Sequence, residues 1–212
     1  MSEAIAQALI EIDAIGFTPN APITFKSGIV APVYVDNRRL PYHPAQWRVV
    51  IAGFEALITQ RVPSFDVIAG VAVGGIPHSS ALAYAMQRPS VFVRKEAKGH
   101  GRGQRIEGGA VNSQRVVLVE DLVTTGGSSL SGVDALREAG AIVTDLVAIV
   151  SYGFDEAQQN FAHAKVNLHT LTNFETILHV ARSMKRITGA QEAVIMDWFQ
   201  EPYGWGSRHT TQ

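Results

Sequence analysis

Short apolar runs alternate with amphipathic stretches along most of the chain. The runs at residues 66–71, 91–94, 116–119, 142–150 and 166–170 predict strands. Helices are predicted between them, at about residues 43–60, 77–86 and 155–163 and after Gly127. Strands that alternate with helices form right-handed crossovers. The pattern therefore predicts an α/β fold, a doubly wound and mainly parallel sheet flanked by helices, with ligands bound beyond the carboxyl ends of the strands.

The N-terminal part of the chain has a different pattern. Apolar positions at helical spacing predict a helix over residues 3–15 that ends at Gly16. Short β-type pieces over residues 22–36 predict a small hairpin-like subregion apart from the main sheet. Because no internal repeat or linker interrupts the chain, one domain is predicted over residues 1–212, with a hood at about 1–40. The final segment, residues 201–212, is predicted to be a surface tail.

Composition narrows the classes of function. The 212 residues are 46% hydrophobic, enough for one large core, and the formal net charge of -1 argues against a general nucleic-acid or anionic-membrane partner. The absence of cysteine excludes a disulfide framework and a thiolate site, and a cytoplasmic location is expected. The N-terminus lacks the pattern of a signal peptide, and no apolar run reaches the roughly 18 residues that span a bilayer.

The segment VVLVEDLVTTGGSSL, residues 116–130, carries the most specific chemistry. Glu120 and Asp121 follow a buried strand, and small hydroxyl and glycine residues lead into a helix that begins near Gly127. The unpaired N–H groups of such a helix can bind a phosphate, while the two carboxylates can accept hydrogen bonds from sugar hydroxyls. Neither a P-loop nor a dinucleotide glycine motif is present. The segment predicts a site for a phosphorylated sugar, and the alternative is helix capping and turn chemistry alone.

Two further loops follow strands that should end at the same edge of the sheet. GVAVGGIPHSS, residues 70–80, has Gly74 and Gly75 before a helix and indicates either a second phosphate cradle or a tight turn. RKEAKGHGRGQRIEGG, residues 94–109, has five Lys and Arg against two Glu, a local excess of three positive charges, to which His100 can add. Most charge runs of this kind are solvated surface loops. Beside a phosphate site, the charge and the glycines predict a lid that closes over anions.

Three segments resemble motifs of a known family. Residues 116–130 are similar to the phosphoribosyl-pyrophosphate (PRPP) signature of the type I phosphoribosyltransferases, and RKEAKGHG resembles the catalytic loop of the orotate phosphoribosyltransferases. FKSGIVAPVYVDNRRL, residues 25–40, resembles the hood segment of the same enzymes. The resemblance extends from about residue 5 to residue 200. It implies transfer of the 5-phosphoribosyl group from PRPP to orotate in pyrimidine biosynthesis, with Mg²⁺ bound mainly through PRPP and water, in a homodimer whose lid covers the partner's site.

The resemblance also implies a role for each site residue. Lys98, His100 and Asp121 would be catalytic, the first two by meeting charge on the leaving pyrophosphate. PRPP would be bound by Arg94, Lys95, Lys98, His100, Gly74, Gly75, Glu120, Asp121, Thr124, Thr125, Gly126, Gly127 and Ser128. Orotate would be bound by Lys26, Tyr34 and Thr124, and no direct protein ligand to the metal is expected. Arg38 and Tyr152 are further predicted orotate contacts, proposed because the chain departs from the family. A purine or uracil phosphoribosyltransferase and a non-catalytic PRPP-sensing regulator are the alternatives.

The chain departs from the family at two places. Some relatives have a lysine where this chain has Val73, so backbone donors and Mg²⁺ would hold more of the pyrophosphate. Many have an arginine for the orotate carboxylate where this chain has residues 151–154, SYGF. Arg38, oriented by Asp36, is the predicted substitute, because arginine binds a carboxylate at two points. The alternative is a surface ion pair. The remaining histidines lack metal-ligand spacing: His163, His169 and His179.

Overall fold

The computed structural model describes residues 1–25, 27–96 and 105–209. Its helices are α1 (Ser2–Glu11), α2 (Pro44–Arg61), α3 (Gly75–Met86), α4 (Gly127–Glu138), α5 (Asp155–His163), α6 (Phe174–Ser183), α7 (Gly189–Gln200) and α8 (Trp205–His209), with a 3-10 helix at Asn37–Tyr42. Its strands are β1 (Ile15–Phe17), β2 (Ile23–Thr24), β3 (Val30–Ala31), β4 (Val33–Val35), β5 (Val67–Val71), β6 (Ser90–Val93), β7 (Ile106–Glu107), β8 (Arg115–Val123), β9 (Ile142–Ser151) and β10 (Asn167–Asn173).

A six-stranded sheet forms the centre of the fold, in the order β10-β9-β8-β5-β6-β7. Every neighbouring pair is parallel except β6 and the edge strand β7. β5 is buried along its whole length, and β8 and β9 are buried over most of theirs. Central strands that are covered by helices on both faces have this continuous apolar character. The prediction of a doubly wound, mainly parallel sheet is confirmed.

Side chains of the sheet alternate between two layers of core. On β8, Val117 and Val119 belong to the layer shared with α1, α2 and the hood, whereas Val116 and Leu118 belong to the layer shared with α4 and α5. This period of two follows from strand geometry. The apolar run of β8 gives way to acidic residues near the carboxyl end of the strand. The acidic pair therefore follows a stretch of β8 whose side chains are packed on both faces of the sheet.

The hood consists of two small antiparallel sheets, β1–β4 and β2–β3, separate from the central sheet as predicted. α1 is shorter than predicted, because Asp13 adopts a left-handed φ of 53° and the Ala14 N–H donates to the Leu9 carbonyl at 2.9 Å. The chain then enters β1, where Gly16 pairs with Tyr34 instead of ending a helix.

The C-terminal segment packs on the hood through Trp205 and Gly206, so the prediction of a surface tail is wrong for these two residues, whereas Glu201, Tyr203 and residues 207–209 are exposed as predicted. Trp198 and Trp205 are fully buried, and the Trp198 Nε1 donates to the Val30 carbonyl oxygen over 2.8 Å. Gly206 lies so close to Val30 that an added Cβ would fall 2.8 Å from the valine side chain. A lone tryptophan between glycines gives no periodic signal, which is why the sequence did not indicate this contact. Residues 210–212 lie outside the described residues.

Several elements differ from those predicted from the sequence. β10 continues to Asn173 because it pairs with β9 as far as Ser151. The two-residue strand β7 and the helix α6 were not predicted. No helix within the described ranges is long and apolar enough to cross a membrane.

Candidate active site

The loop after β5 crosses the carboxyl end of β8 at Asp121. A Cβ added to Gly74 would fall 2.4 Å from the Asp121 Cγ, and a Cβ added to Gly75 would fall 2.4 Å from the Val119 carbonyl oxygen. A Cβ on Gly74 would displace the Asp121 carboxyl or the loop, and a Cβ on Gly75 would collide with the backbone of β8, so glycine at both positions permits this close approach. The loop also contains a cis peptide bond between Ala72 and Val73. The structure thus brings together Gly74, Gly75 and Asp121, which lie 46 to 47 positions apart in the printed sequence.

Glu120 is buried and contacts α4. Its Oε2 accepts a hydrogen bond from Ser129 Oγ at 3.1 Å, and its Oε1 accepts one from the Asp121 backbone N–H at 3.1 Å. Burial, reinforced by the neighbouring Asp121 charge, raises the pKa of the Glu120 carboxyl well above its usual range. Asp121 is only partly buried. Of the two predicted sugar-binding acids, Asp121 is therefore the one that is open to a ligand in this structure.

The loop from Thr124 to Ser128 leads directly into the N-terminus of α4. Gly126 adopts a left-handed φ of 86°, and α4 begins at the next residue, so unpaired N–H groups follow the loop directly. α5 supports the loop from behind: the Asn160 Nδ2 donates to the Thr125 carbonyl oxygen over 3.1 Å, and an added Cβ on Gly126 would fall 2.7 Å from the Phe161 ring. A helix N-terminus held in this way suits a phosphate group.

A cavity of about 330 Å³ joins the start of α4 to the start of the cationic segment. Its lining includes Gly127 and Ser128 from α4 and Arg94 and Lys95 from the end of β6. Arg94 Nη1 lies 3.5 Å from Glu107 Oε1, and Lys95 is exposed. Two predicted cations are therefore placed beside the predicted phosphate loop.

Arg105 links the end of β6 to α4, and it was not predicted as a site residue. Its Nε donates to the Arg94 carbonyl oxygen over 2.9 Å, and its Nη1 donates to the Ser131 carbonyl oxygen on α4 over 3.0 Å. The sequence showed only one more cation in a charged run. Lys98 and His100, the predicted catalytic cations of that run, lie outside the described residues, as does Lys26 of the hood.

The hood places a second group of polar side chains near β8. Arg38 Nε lies 2.5 Å from Asp36 Oδ1, and Arg38 Nη2 donates to the Tyr34 hydroxyl over 3.1 Å. Hydrogen bonding to Asp36 and its charge raise the pKa of the Arg38 guanidinium, which stays charged. The next residue back, Asn37, donates from Nδ2 to the Asp121 carbonyl oxygen over 2.7 Å. This bond brings the Arg38 turn to the acidic pair, and no local sequence pattern indicates this role for Asn37.

Tyr152 is enclosed by other rings. It stacks on Phe174 at a centroid distance of 4.8 Å and on Phe154 at 5.6 Å, and it is 4% exposed. Burial is the main cause of the raised pKa of its hydroxyl, with a smaller contribution from Tyr34. The packing gives Tyr152 a structural role beneath the hood and leaves no open face for a pyrimidine.

No group of three or more acidic or histidine side chains within the described ranges could by itself hold a metal ion. His169 Nε2 instead pairs with Asp145 Oδ1 at 2.9 Å, on the strands β10 and β9. A Mg²⁺ that enters with a pyrophosphate needs few protein ligands, because it keeps several waters.

This arrangement of a parallel sheet, an acidic pair and an anion loop defines a phosphoribosyltransferase, and the family model described as phosphoribosyl transferase domain matches residues 45–174. An orotate phosphoribosyltransferase of Halalkalibacterium halodurans is 41% identical over 202 residues, which cover 95% of this chain and 96% of the relative. With this identity over nearly the full length of both proteins, the chain belongs to the orotate phosphoribosyltransferase family.

Solved structures agree with this assignment. The orotate phosphoribosyltransferase of Aeropyrum pernix matches with a TM-score of 0.75 and 28% identity, over 87% of this chain and 99% of that one. The UMP synthase of Leishmania donovani matches with a TM-score of 0.82 and 30% identity over 94% of this chain. This chain spans 42% of that longer protein.

Proposed function

We propose that the chain transfers the 5-phosphoribosyl group from PRPP to orotate, forming orotidine 5-monophosphate and pyrophosphate in the synthesis of UMP. The observation that supports this most strongly is the meeting of the Gly74 loop, Asp121 and the Thr124–Ser128 loop at one edge of the sheet. PRPP carries a pyrophosphate, a ribose diol and a 5-phosphate, and these three features of the site match its three groups. Family membership supports orotate as the acceptor.

In the proposed reaction, the bond from ribose C1 to the pyrophosphate oxygen breaks while a bond from C1 to the pyrimidine N1 forms, and the N1 proton leaves to water or to the pyrophosphate. The transition state carries positive charge on the ribose and negative charge on the departing pyrophosphate. Asp121 would bind the ribose hydroxyls, and the N-terminus of α4 would bind the 5-phosphate. Arg94 and Lys95, with Lys98 and His100, would meet the pyrophosphate charge as it develops. His100 could also donate a proton to the leaving group. No protein nucleophile is needed.

Mg²⁺ is the proposed cofactor. It would be held by oxygens of PRPP and by water, with Asp121 as the nearest carboxyl. When bound, it would neutralise pyrophosphate charge without proton transfer. Because Val73 supplies no cation to the β5 loop, the backbone N–H groups of Gly74 and Gly75 would hold the rest of the pyrophosphate.

Orotate would be bound on the hood side. Its carboxylate needs a cationic partner, and Arg38 is fixed by Asp36 and Tyr34 on the turn that Asn37 joins to β8. Two-point binding by arginine suits a carboxylate. Lys26 and Thr124 remain predicted contacts, whereas the packing of Tyr152 favours an indirect role.

The test is a comparison of acceptors. Purified protein is incubated with PRPP and Mg²⁺ and with orotate, uracil, adenine or hypoxanthine, and loss of each base is followed. Only orotate should be consumed at a substantial rate. Preferential use of uracil or a purine would support another phosphoribosyltransferase, and tight PRPP binding with no turnover would support a PRPP-sensing regulator.

We also propose a homodimer in which residues near Lys98 reach the partner's site. Lys98→Ala should lower kcat far more than it raises the KM for orotate, because the ammonium acts mainly on charge in the transition state. Mixing subunits that carry Lys98→Ala with subunits that carry Asp121→Asn should restore part of the activity through hybrid sites. Verified heterodimers without any rescue would contradict the shared site. A cytoplasmic location stays a prediction.

A further inference from the structure

Asn37 joins the orotate side of the proposed site to the PRPP side. It begins the 3-10 helix that follows β4, directly before Arg38, and it is 1% exposed. Its Nδ2 donates to the Asp121 carbonyl oxygen over 2.7 Å, between residues 84 positions apart in sequence. A hydrogen bond of this length is well formed. The hood turn and the end of β8 are therefore linked by a short, buried contact.

The amide oxygen of Asn37 shows that stability alone does not explain an asparagine at this position. Oδ1 is buried and finds no hydrogen-bond partner in the part of the chain that the structure describes. A buried acceptor without a partner lowers stability, whereas an apolar side chain of similar shape would carry no such cost. The donor of the amide, and not its packing, therefore accounts for asparagine at this position.

The acceptor of this bond is the backbone carbonyl of Asp121, and the side chain of Asp121 faces the loop that contains Gly74. The Asp121 carboxyl lies against Gly74, where an added Cβ would fall 2.4 Å from its Cγ. On the hood side, Arg38 is fixed by Asp36 at 2.5 Å and by Tyr34 at 3.1 Å. Asn37 thus connects two groups that are each already held by their own neighbours. What it adds is their placement relative to one another.

We propose that Asn37 is a positioning residue that aligns the two substrates. By its hydrogen bond to the Asp121 carbonyl, Asn37 would fix the position of Arg38 relative to the Asp121 carboxyl. The pyrimidine N1 of bound orotate would then face C1 of the bound ribose. This inference rests on the proposed function. Each substrate keeps its own contacts when the link is lost, so the effect should fall on kcat and leave KM largely unchanged.

The test uses Asn37→Leu, which keeps the approximate shape of the side chain and removes the donor. We expect kcat to fall about 10- to 100-fold while the KM values for orotate and PRPP stay within about threefold. Thermal stability should fall modestly, because the variant removes the unpaired Oδ1 but also leaves the Asp121 carbonyl oxygen without its Asn37 donor. The control is Asn167→Leu at the start of β10, where the exposed Asn167 donates to the Asp145 carboxyl at 3.1 Å. The control should keep parental kcat and KM.

Unchanged kcat in folded Asn37→Leu would overturn the proposal, as would a loss of stability with parental turnover per folded molecule. Asn37→Ser, whose hydroxyl is too short to reach the carbonyl, should show the same fall in kcat. If neither variant folds, Asn37 serves the folding of the hood and the proposal is wrong. A parent chain that is inactive with orotate would contradict the proposed function itself, whereas an active parent with an unaffected variant contradicts this inference alone.

Discussion

Gly74→Ala tests whether the contact between the β5 loop and Asp121 is needed for PRPP binding. The new Cβ would lie 2.4 Å from the Asp121 Cγ, whereas ordinary van der Waals contact begins at about 3.4 Å. The loop or the carboxyl must therefore move by about 1 Å. A displacement of this size in a reacting site can cost about 100-fold in rate, which corresponds to about 2.7 kcal/mol. We expect kcat/KM for PRPP to fall by about this factor.

The assay measures initial rates of orotidine 5-monophosphate formation at varied PRPP, together with the melting temperature. The fold should survive, because the atoms in conflict belong to one short side chain at the mouth of the site. Gly189→Ala is the matched control: Gly189 begins α7, and an added Cβ would approach only the end of the Arg182 side chain, at 3.6 Å. Parental kcat/KM for PRPP in Gly74→Ala would refute the reasoning.

Two further predictions concern Arg38 and His78. Arg38→Lys keeps the charge but loses the two-point geometry, so the KM for orotate should rise about tenfold while the KM for PRPP stays nearly unchanged. An unchanged KM for orotate in both Arg38→Lys and Arg38→Ala would show that the carboxylate is held elsewhere. His78 is fully buried and accepts from Trp47 Nε1 at 3.0 Å, and burial lowers the pKa of His78 from 6.5 to about 4. Because the unfolded chain binds this proton more readily, the stability from neutral His78 is present above pH 6.5 and is lost as the pH falls towards 4, by about 3 kcal/mol in all. Denaturant unfolding of parent and His78→Gln across this pH range should show a steeper loss in the parent, and equal slopes would contradict the burial argument.

The sequence predicted the sheet well because its central strands are buried on both faces. β5 and the first part of β8 are continuous apolar runs, and such runs bounded by turn residues identify strands directly. The acidic pair and the glycine loops could be placed for a related reason. Loops that follow parallel strands must meet at one edge of the sheet, so Gly74 and Asp121 could be predicted as neighbours.

Contacts across the chain could not be predicted in this way. Asn37 binds Asp121 across 84 positions, and Arg105 binds Ser131 across 26 positions, and no local pattern encodes either pair. The burial of Trp205 has the same origin, because it depends on how α8 meets the hood. Tyr152 shows the opposite kind of error. An aromatic residue at the carboxyl edge of the sheet suggests a ligand contact, but in the structure the surrounding rings enclose Tyr152.

The most direct test of the account is a product balance. The protein is incubated with orotate, PRPP and Mg²⁺, and orotidine 5-monophosphate and pyrophosphate are quantified by mass spectrometry and ion chromatography, with Asp121→Asn measured in parallel. We predict equal amounts of the two products, and a rate at least about tenfold lower in Asp121→Asn. Pyrophosphate release without orotidine 5-monophosphate, or full activity in Asp121→Asn, would contradict the central claim.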